Sequence, residues 1–348
     1  MDYDALRASF AERFPESGHP FVCRAPGRVN LIGEHTDYNG LPVLPMAIGR
    51  EIAFAFAPVP EPRIRLSNLD PRFPDAAFDN GPEIPPSARG AWENYVKAAV
   101  QGMNAHFGFD GARGFDAVVC GDLPAAAGLA SSSALVVAAA LAYLAVMDHT
   151  LDRDVARLDL AGVLARAERY VGTQGGGMDQ AVILCAEAGN ACKIDFHPLQ
   201  IEPAPVFEGY AFVVCDSGVR AEKTGSARER YNEGPRLCRL ITALVERRLQ
   251  MEIDEEFKLD CLGSLARGLL CLTHQEATGV CMRAIPGECM TTHDVALLLG
   301  CDAAEVAARW LDGMPEPAGG FPLRARLRHQ LGESRRVELA RDALLARD

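Results

Sequence analysis

The segment Arg24-Ala25-Pro26-Gly27-Arg28-Val29-Asn30-Leu31-Ile32-Gly33-Glu34-His35-Thr36-Asp37-Tyr38-Asn39-Gly40 constrains this chain more than any other. It packs three glycines, two arginines, one histidine and two acids into seventeen residues. A regular strand or helix seldom tolerates that density of charge and turn residues. Val29 to Ile32 is a short, mostly apolar run suited to a strand, and Gly33 ends it. Glu34, His35 and Asp37 then fall on a loop, where a rigid scaffold usually presents polar side chains to a ligand. Carboxylates beside a histidine suit the many hydroxyls of a sugar, because each carboxylate accepts two or more hydrogen bonds. Arg28 adds a permanent cation suited to phosphate.

With 348 residues the chain can hold one large or two medium domains with full cores. A net charge of −12 argues against nucleic acid or an anionic membrane as the main partner, so any phosphate site must be a local feature. Residues 1–20 lack an apolar signal core and read as a short amphipathic helix around Leu6, Phe10 and Phe14. The longest apolar run, Ala134 to Met147, falls short of the roughly 20 residues needed to span a bilayer and reads as a buried helix. Eleven cysteines are scattered with no CxxC pair, which fits reduced thiols and a cytoplasmic location. The spacing of His274, Cys281, Cys289 and His293 matches none of the usual zinc patterns.

Strand-like and helix-like segments alternate in the first half. Ile52–Phe56 and Ala117–Cys120 predict strands, Trp92–Met103 and Ser131–Met147 predict helices, and Pro-rich Ser67–Pro86 predicts a surface loop. Val163–Val171 predicts a helix interrupted by Gly172–Gly177, followed by a strand at Ala191–Phe196. A further strand at Tyr210–Cys215 is expected to open a second domain that is largely helical from Ala221 onward. The expected domains are therefore 1–205 and 206–348.

Gly121 to Leu135 runs through small residues into Ser131-Ser132-Ser133 and then a strongly helical segment. Small side chains let a backbone approach an anion, and a helix N-terminus offers unpaired N–H groups with partial positive charge. A serine hydroxyl there can also ligate Mg²⁺. The GK[ST] ending of a Walker A loop is absent. Taken alone, the loop reads equally well as a serine cap on a buried helix. In Glu168 to Gln180, three consecutive glycines precede Asp179, a pattern that brings the backbone close to something and aims the acid.

Together these strings closely resemble the signatures of galactokinases, in the superfamily that also holds homoserine, mevalonate and phosphomevalonate kinases. The serine loop is similar to the family's Pro-x-Gly-x-Gly-Leu-Ser-Ser-Ser-Ala motif. Ala126 replaces a common glycine there, a change that would stiffen the loop, and Ala130 replaces the first serine. The resemblance implies a two-domain α+β small-metabolite kinase fold: an N-terminal mixed α/β domain and a C-terminal α+β domain. It implies Asp179 as catalytic acid-base residue, with Arg28 holding it ionised and neutralising the transferring phosphoryl group. Glu34, His35, Asp37, Gly177 and Tyr231 would contact the sugar. Trp92, Ala126, Gly128, Leu129, Ser131, Ser132 and Ser133 would border ATP, although a Trp on a helix is more often core. Ser132 and Glu168 would hold Mg²⁺, although Glu168 also reads as a helix-surface acid. Asp216–Arg220 resembles a strand end after the domain junction.

The resemblance covers nearly the whole chain, loosely between Arg239 and Thr278. Gly172–Gly177, Asp195–Leu199, Thr291–Gly300 and Arg326–Val337 point to the branch of eukaryotic N-acetylgalactosamine kinases and fungal galactokinases. In that family a serine-histidine helix and a Gly-Ala-Gly-Phe-Gly-Gly loop follow the last of these segments, and this sequence ends at Asp348 with neither. The expectation is an incomplete second domain with exposed strand edges, a weak or inactive kinase, and self-association through that domain. The implied activity is ATP-dependent phosphorylation of a sugar at its anomeric oxygen, galactose first. The alternatives are a kinase for N-acetylgalactosamine or another sugar, and a non-catalytic sugar or nucleotide sensor.

Overall fold

The structure is a computed structural model that describes residues 1–218, 228–253, 258–267 and 272–347. The elements run α1 (Tyr3–Arg13), β1 (Phe21–Ile32), β2 (Leu44–Val59), β3 (Arg63–Asn68), β4 (Ala76–Asp79), α2 (Glu93–Phe107), β5 (Gly114–Gly121), α3 (Ser131–Val146), α4 (Arg157–Ala167) and α5 (Met178–Cys185). They continue with β6 (Asn190–Phe196), β7 (Leu199–Pro205), α6 (Arg228–Ile253), α7 (Ser264–Arg267), α8 (His274–Ala284), α9 (Thr292–Leu299), α10 (Ala303–Arg309) and α11 (Leu323–Ala346).

The chain divides into two compact units. One holds Met1–Val29, Pro45–Cys192 and Pro205–Arg228; the other holds Asn30–Leu44, Lys193–Ala204 and Glu229–Asp348. The division expected after residue 205 lies beside one crossing, Ala204 to Pro205, but the units interleave along the sequence. Crossings fall inside β1, at Val29 to Asn30, and inside β6, at Cys192 to Lys193.

In the first unit a five-stranded mixed sheet has the order β1-β2-β5-β3-β4. β2 and β5 run antiparallel with Phe54 opposite Val119, and β3 and β5 run parallel with Leu66 opposite Ala117. α1 buries Leu6 and Phe10 against Ala53, Ala55 and Val118, as its spacing of apolar residues predicts. α3 is apolar nearly all round and is accordingly buried along its length. No helix among the described residues is long and apolar enough to cross a membrane.

The second unit is built mainly of helices, with α6 and α11 supplying Leu237, Ile241, Leu323 and Leu327 to a core shared with α8 and α9. The capping boxes at Thr273 with Glu276 and at Thr291 with Asp294 start α8 and α9.

Two expectations need correction. The stretch Ser67–Pro86 is not all loop: β4 forms inside it and pairs antiparallel with β3, Ile64 opposite Phe78. It is a short edge strand with one buried side chain, too brief to show an alternating pattern. Tyr210–Cys215 forms no strand. A strand needs a neighbour for its N–H and C=O groups, and this run pairs with none among the described residues, leaving Tyr210 79% and Val213 81% exposed. Of the helical region expected from Ala221 onward, residues 221–227, 254–257 and 268–271 lie outside the described residues, as do Val219 and Arg220 of the expected strand end.

Candidate active site

In the first unit, β1 and the loop between β5 and α3 come together around Arg28. Its backbone N–H donates to the Leu129 carbonyl at 3.2 Å, and its Nη1 donates to the Gly128 carbonyl at 2.5 Å. Gly27 permits this approach: a Cβ there would lie 2.8 Å from the Leu129 oxygen and would collide with Leu123. Arg28 Nε donates to Asp179 Oδ1 at 2.7 Å, and the two side chains are only 9% and 11% exposed. Asp179 stands in the first turn of α5, where the helix dipole favours an anion. The turn into α5 needs φ +104 at Gly177, a conformation that side chains rarely adopt.

Behind this pair lies a buried polar chain. Ser133 Oγ donates to Asp179 Oδ2 at 3.3 Å, and Gln180 Nε2 donates to Glu168 Oε1 at 2.7 Å and lies 3.5 Å from Ser133 Oγ. Glu168 opens a 3₁₀ turn at residues 168–171 and is 7% exposed.

A cavity of about 660 Å³ opens in the same unit, within the usual range for a small-molecule site. Phe73, Trp92 and Tyr95 line it together with Ala126, Gly128, Ser131 and Ser132, and Arg28 reaches it. Aromatic faces beside a small-residue loop at a helix start provide for a flat base and for phosphates respectively. Trp92 stands just ahead of α2, donates through Nε1 to the Pro74 carbonyl at 2.8 Å, and meets Phe73 edge-on at 6.4 Å. Ala126 and Ala130 take the left-handed φ values 56° and 59°, so the loop keeps a glycine-like backbone without the glycine, at a cost of about 1 kcal/mol each.

The second unit carries the other expected residues. Gly33 (φ 97°) ends β1, and His35 follows at φ 58°. Thr36 is fully buried and its hydroxyl donates to the carbonyls of Gly33 (3.0 Å) and Pro42 (3.1 Å), closing the loop. Asp37 starts a one-turn 3₁₀ helix. The His35 ring lies 5.9 Å from the Tyr38 ring and 5.9 Å from the Tyr231 ring. Desolvation by surrounding protein lowers the His35 pKa, while Asp37 and Glu34 oppose the shift. His35 as a residue is nonetheless exposed, so solvent screens the interaction.

The expected residues thus gather in two places. Arg28, Asp179, Glu168, Gly177, Trp92 and the serine loop belong to the first unit; Glu34, His35, Asp37 and Tyr231 belong to the second. Within the loop, Ser131 and Ser132 face the cavity, whereas Ser133 is fully buried and turned to Asp179, because successive helical residues point about 100° apart. Leu129 acts through its carbonyl on Arg28. Sequence reasoning missed Phe73 and Tyr95 in the cavity and Gln180 as the link to Glu168. It also missed the α11 side chains His329, Gln330 and Glu333, which bond the backbone of residues 33–35. Tyr95 lies in the expected helix Trp92–Met103, Gln180 closes the glycine segment, and the α11 residues lie within Arg326–Val337, so each sits in a segment already singled out without its own role being legible; Phe73 carries no local signal.

The matches to known proteins follow the same outline. Residues 8–58 match the galactokinase galactose-binding signature, and residues 94–187 match the N-terminal domain of GHMP kinases. The galactokinase of Dictyostelium discoideum is 30% identical over 96% of this chain and 67% of its own length. That of Chloroflexus aurantiacus is 37% identical over 67% of this chain and 57% of its own length. The chain therefore spans only 57–67% of the length of these curated relatives. A structure of Lactococcus lactis galactokinase complexed with galactose superposes with a TM-score of 0.70 at 24% identity, covering 99% of this chain and 74% of that one, which shows the shared fold. On the strength of a 30% identity that takes in 96% of this chain and 67% of the relative, and of the two family matches, this chain belongs to the galactokinase family of the GHMP kinases.

Proposed function

We propose that the chain is an ATP-dependent sugar 1-kinase that converts ATP and galactose to ADP and galactose 1-phosphate. The observation that carries this reading is the buried Arg28–Asp179 pair, 2.7 Å apart, tied to the loop of a nucleotide-sized cavity. Asp179 takes the proton of the anomeric hydroxyl as that oxygen bonds the γ-phosphorus and the bond from phosphorus to the bridging oxygen of ADP breaks. Arg28 neutralises charge on the transferring group and keeps Asp179 ionised. The loop backbone with Ser131 and Ser132 holds the nucleotide phosphates, and Phe73, Trp92 and Tyr95 border the base. Glu34, His35, Asp37 and Tyr231 select the sugar, and Gly177 contacts it from the turn that starts α5.

Mg²⁺ fits the available donors. Ser132 lines the cavity, and Glu168, buried in the same unit and bonded to Gln180, offers a carboxylate; both are hard oxygens of the kind this ion takes alongside substrate phosphates. When bound, the ion would neutralise phosphate charge. A cytoplasmic location is supported by the free cysteines, among them Cys23, Cys238 and Cys281, whose thiols burial pushes up to about 12. Self-association is supported by the exposed apolar run at Tyr210–Val214.

Asp179→Asn tests the assignment. The substitution keeps shape and removes the base, so turnover in a coupled ADP-release assay should fall at least about a hundredfold. Galactose affinity should change little. Full turnover by the variant would remove Asp179 from the chemistry.

A further inference from the structure

We propose that Glu333 on α11 is a positioning residue that sets the backbone of the Gly33–His35 turn, and through it the affinity for galactose. This rests on the assignment of Glu34, His35 and Asp37 to the sugar. One carboxylate oxygen, Oε2, accepts the backbone N–H groups of Gly33 at 3.0 Å and Glu34 at 3.2 Å. The other, Oε1, receives Arg336 through Nε at 2.7 Å and through Nη2. The Glu333 side chain is 10% exposed. Burial alone would raise its pKa, but Arg336 and the two backbone N–H groups outweigh burial and hold the carboxyl below its usual range.

Two neighbours on the same helix continue the grip. His329 Nε2 lies 2.7 Å from the Glu34 carbonyl, which makes Nε2 the protonated nitrogen. Gln330 Nε2 donates to the His35 carbonyl at 2.6 Å, while its Oε1 accepts from Asn39 Nδ2 at 3.3 Å. Residues 329, 330 and 333 thus bind consecutive peptide groups of one turn. That turn carries two left-handed residues, Gly33 and His35, the second a side-chain residue that needs outside support to stay there. A turn free to relax would no longer aim three side chains at one ligand. ATP and the Asp179 chemistry, carried by the other unit, would be untouched.

The experiment measures galactose KM, ATP KM and kcat for the wild-type chain, Glu333→Ala, Glu333→Gln and Leu327→Ala. Glu333→Ala should raise galactose KM by on the order of tenfold, with ATP KM and kcat held within about twofold. Glu333→Gln retains an amide oxygen for the two N–H groups and should recover most of that loss. Leu327→Ala removes core packing from the same helix and should lower thermal stability without raising galactose KM. An equal rise in the Glu333→Ala and Leu327→Ala variants, or no rise in Glu333→Ala, overturns the proposal. Hydrogen exchange at the Gly33 and Glu34 amides decides it independently of turnover: protection should fall in Glu333→Ala, and unchanged protection refutes the role. A wild-type chain that neither binds nor turns over galactose refutes the sugar assignment instead, leaving the exchange result to judge Glu333.

Discussion

Replacing Arg28 by methionine should destabilise the first unit more than any other single change at the site. The substitution keeps an apolar stem of similar length and removes the cation. Asp179 stays behind with a side chain only 11% exposed, having lost the guanidinium that stood 2.7 Å away. Removing one partner of a buried ion pair typically costs about 3–5 kcal/mol, because the remaining charge is left uncompensated. That step removes from about a fifth to the whole of a domain's net stability of roughly 5–15 kcal/mol. Replacing both partners with apolar residues avoids the stranded charge, so the double variant Arg28→Met/Asp179→Leu should lose at least about 2 kcal/mol less than Arg28→Met alone. The two tryptophans make the measurement direct: Trp92 lies in the first unit and Trp310 in the second. In a Trp310→Phe background, urea unfolding followed by Trp92 fluorescence reports the first unit by itself. A cost below about 1 kcal/mol for Arg28→Met, or a double variant less stable than the single one, would show that the pair does not hold a buried charge in place.

Two other outcomes follow from the second unit. Asp37→Ala should weaken galactose binding by about 1.5–3 kcal/mol in calorimetry, the usual worth of a hydrogen bond to a charged group; equal binding by the two proteins defeats the assignment of Asp37 to the sugar. His35 has a depressed pKa in the folded chain, so the unfolded state takes up its proton first as pH falls. Its contribution is full above the unfolded value of about 6.5 and declines as pH drops through the window from there to the lower folded value. His35→Gln should therefore flatten the loss of stability of the second unit between pH 7.5 and pH 5.5, followed by Trp310 fluorescence, and an unchanged slope would rule His35 out as its source.

The elements that local chemistry determines could be read from the residues in order. An apolar run ending at Gly33, followed by charged residues, specifies a strand and a turn, because backbone preference and side-chain alternation act over a few positions. The structure adds that the strand begins as early as Phe21. The small-residue run before Ser131 and the apolar stretch after it specify a loop and a buried helix for the same reason, and three glycines before Asp179 announce a tight backbone turn. What each segment meets was decided only by tertiary packing. Arg28 and Asp179 are 151 positions apart, and Glu333 and Gly33 are 300 apart. No local rule pairs them; the packing of α5 and α11 against their own cores does. The same holds for failures. Tyr210–Cys215 has strand composition, yet a strand exists only where a neighbour takes its hydrogen bonds, and β4 exists inside a Pro-rich stretch because β3 supplies that neighbour. Sequence alone determined which residues could do chemistry with phosphate and sugar. Tertiary structure decided which hydroxyl of Ser131, Ser132 and Ser133 turns inward to Asp179 and which helix holds the Gly33–His35 turn, because both depend on atoms brought together by burial rather than by the chain.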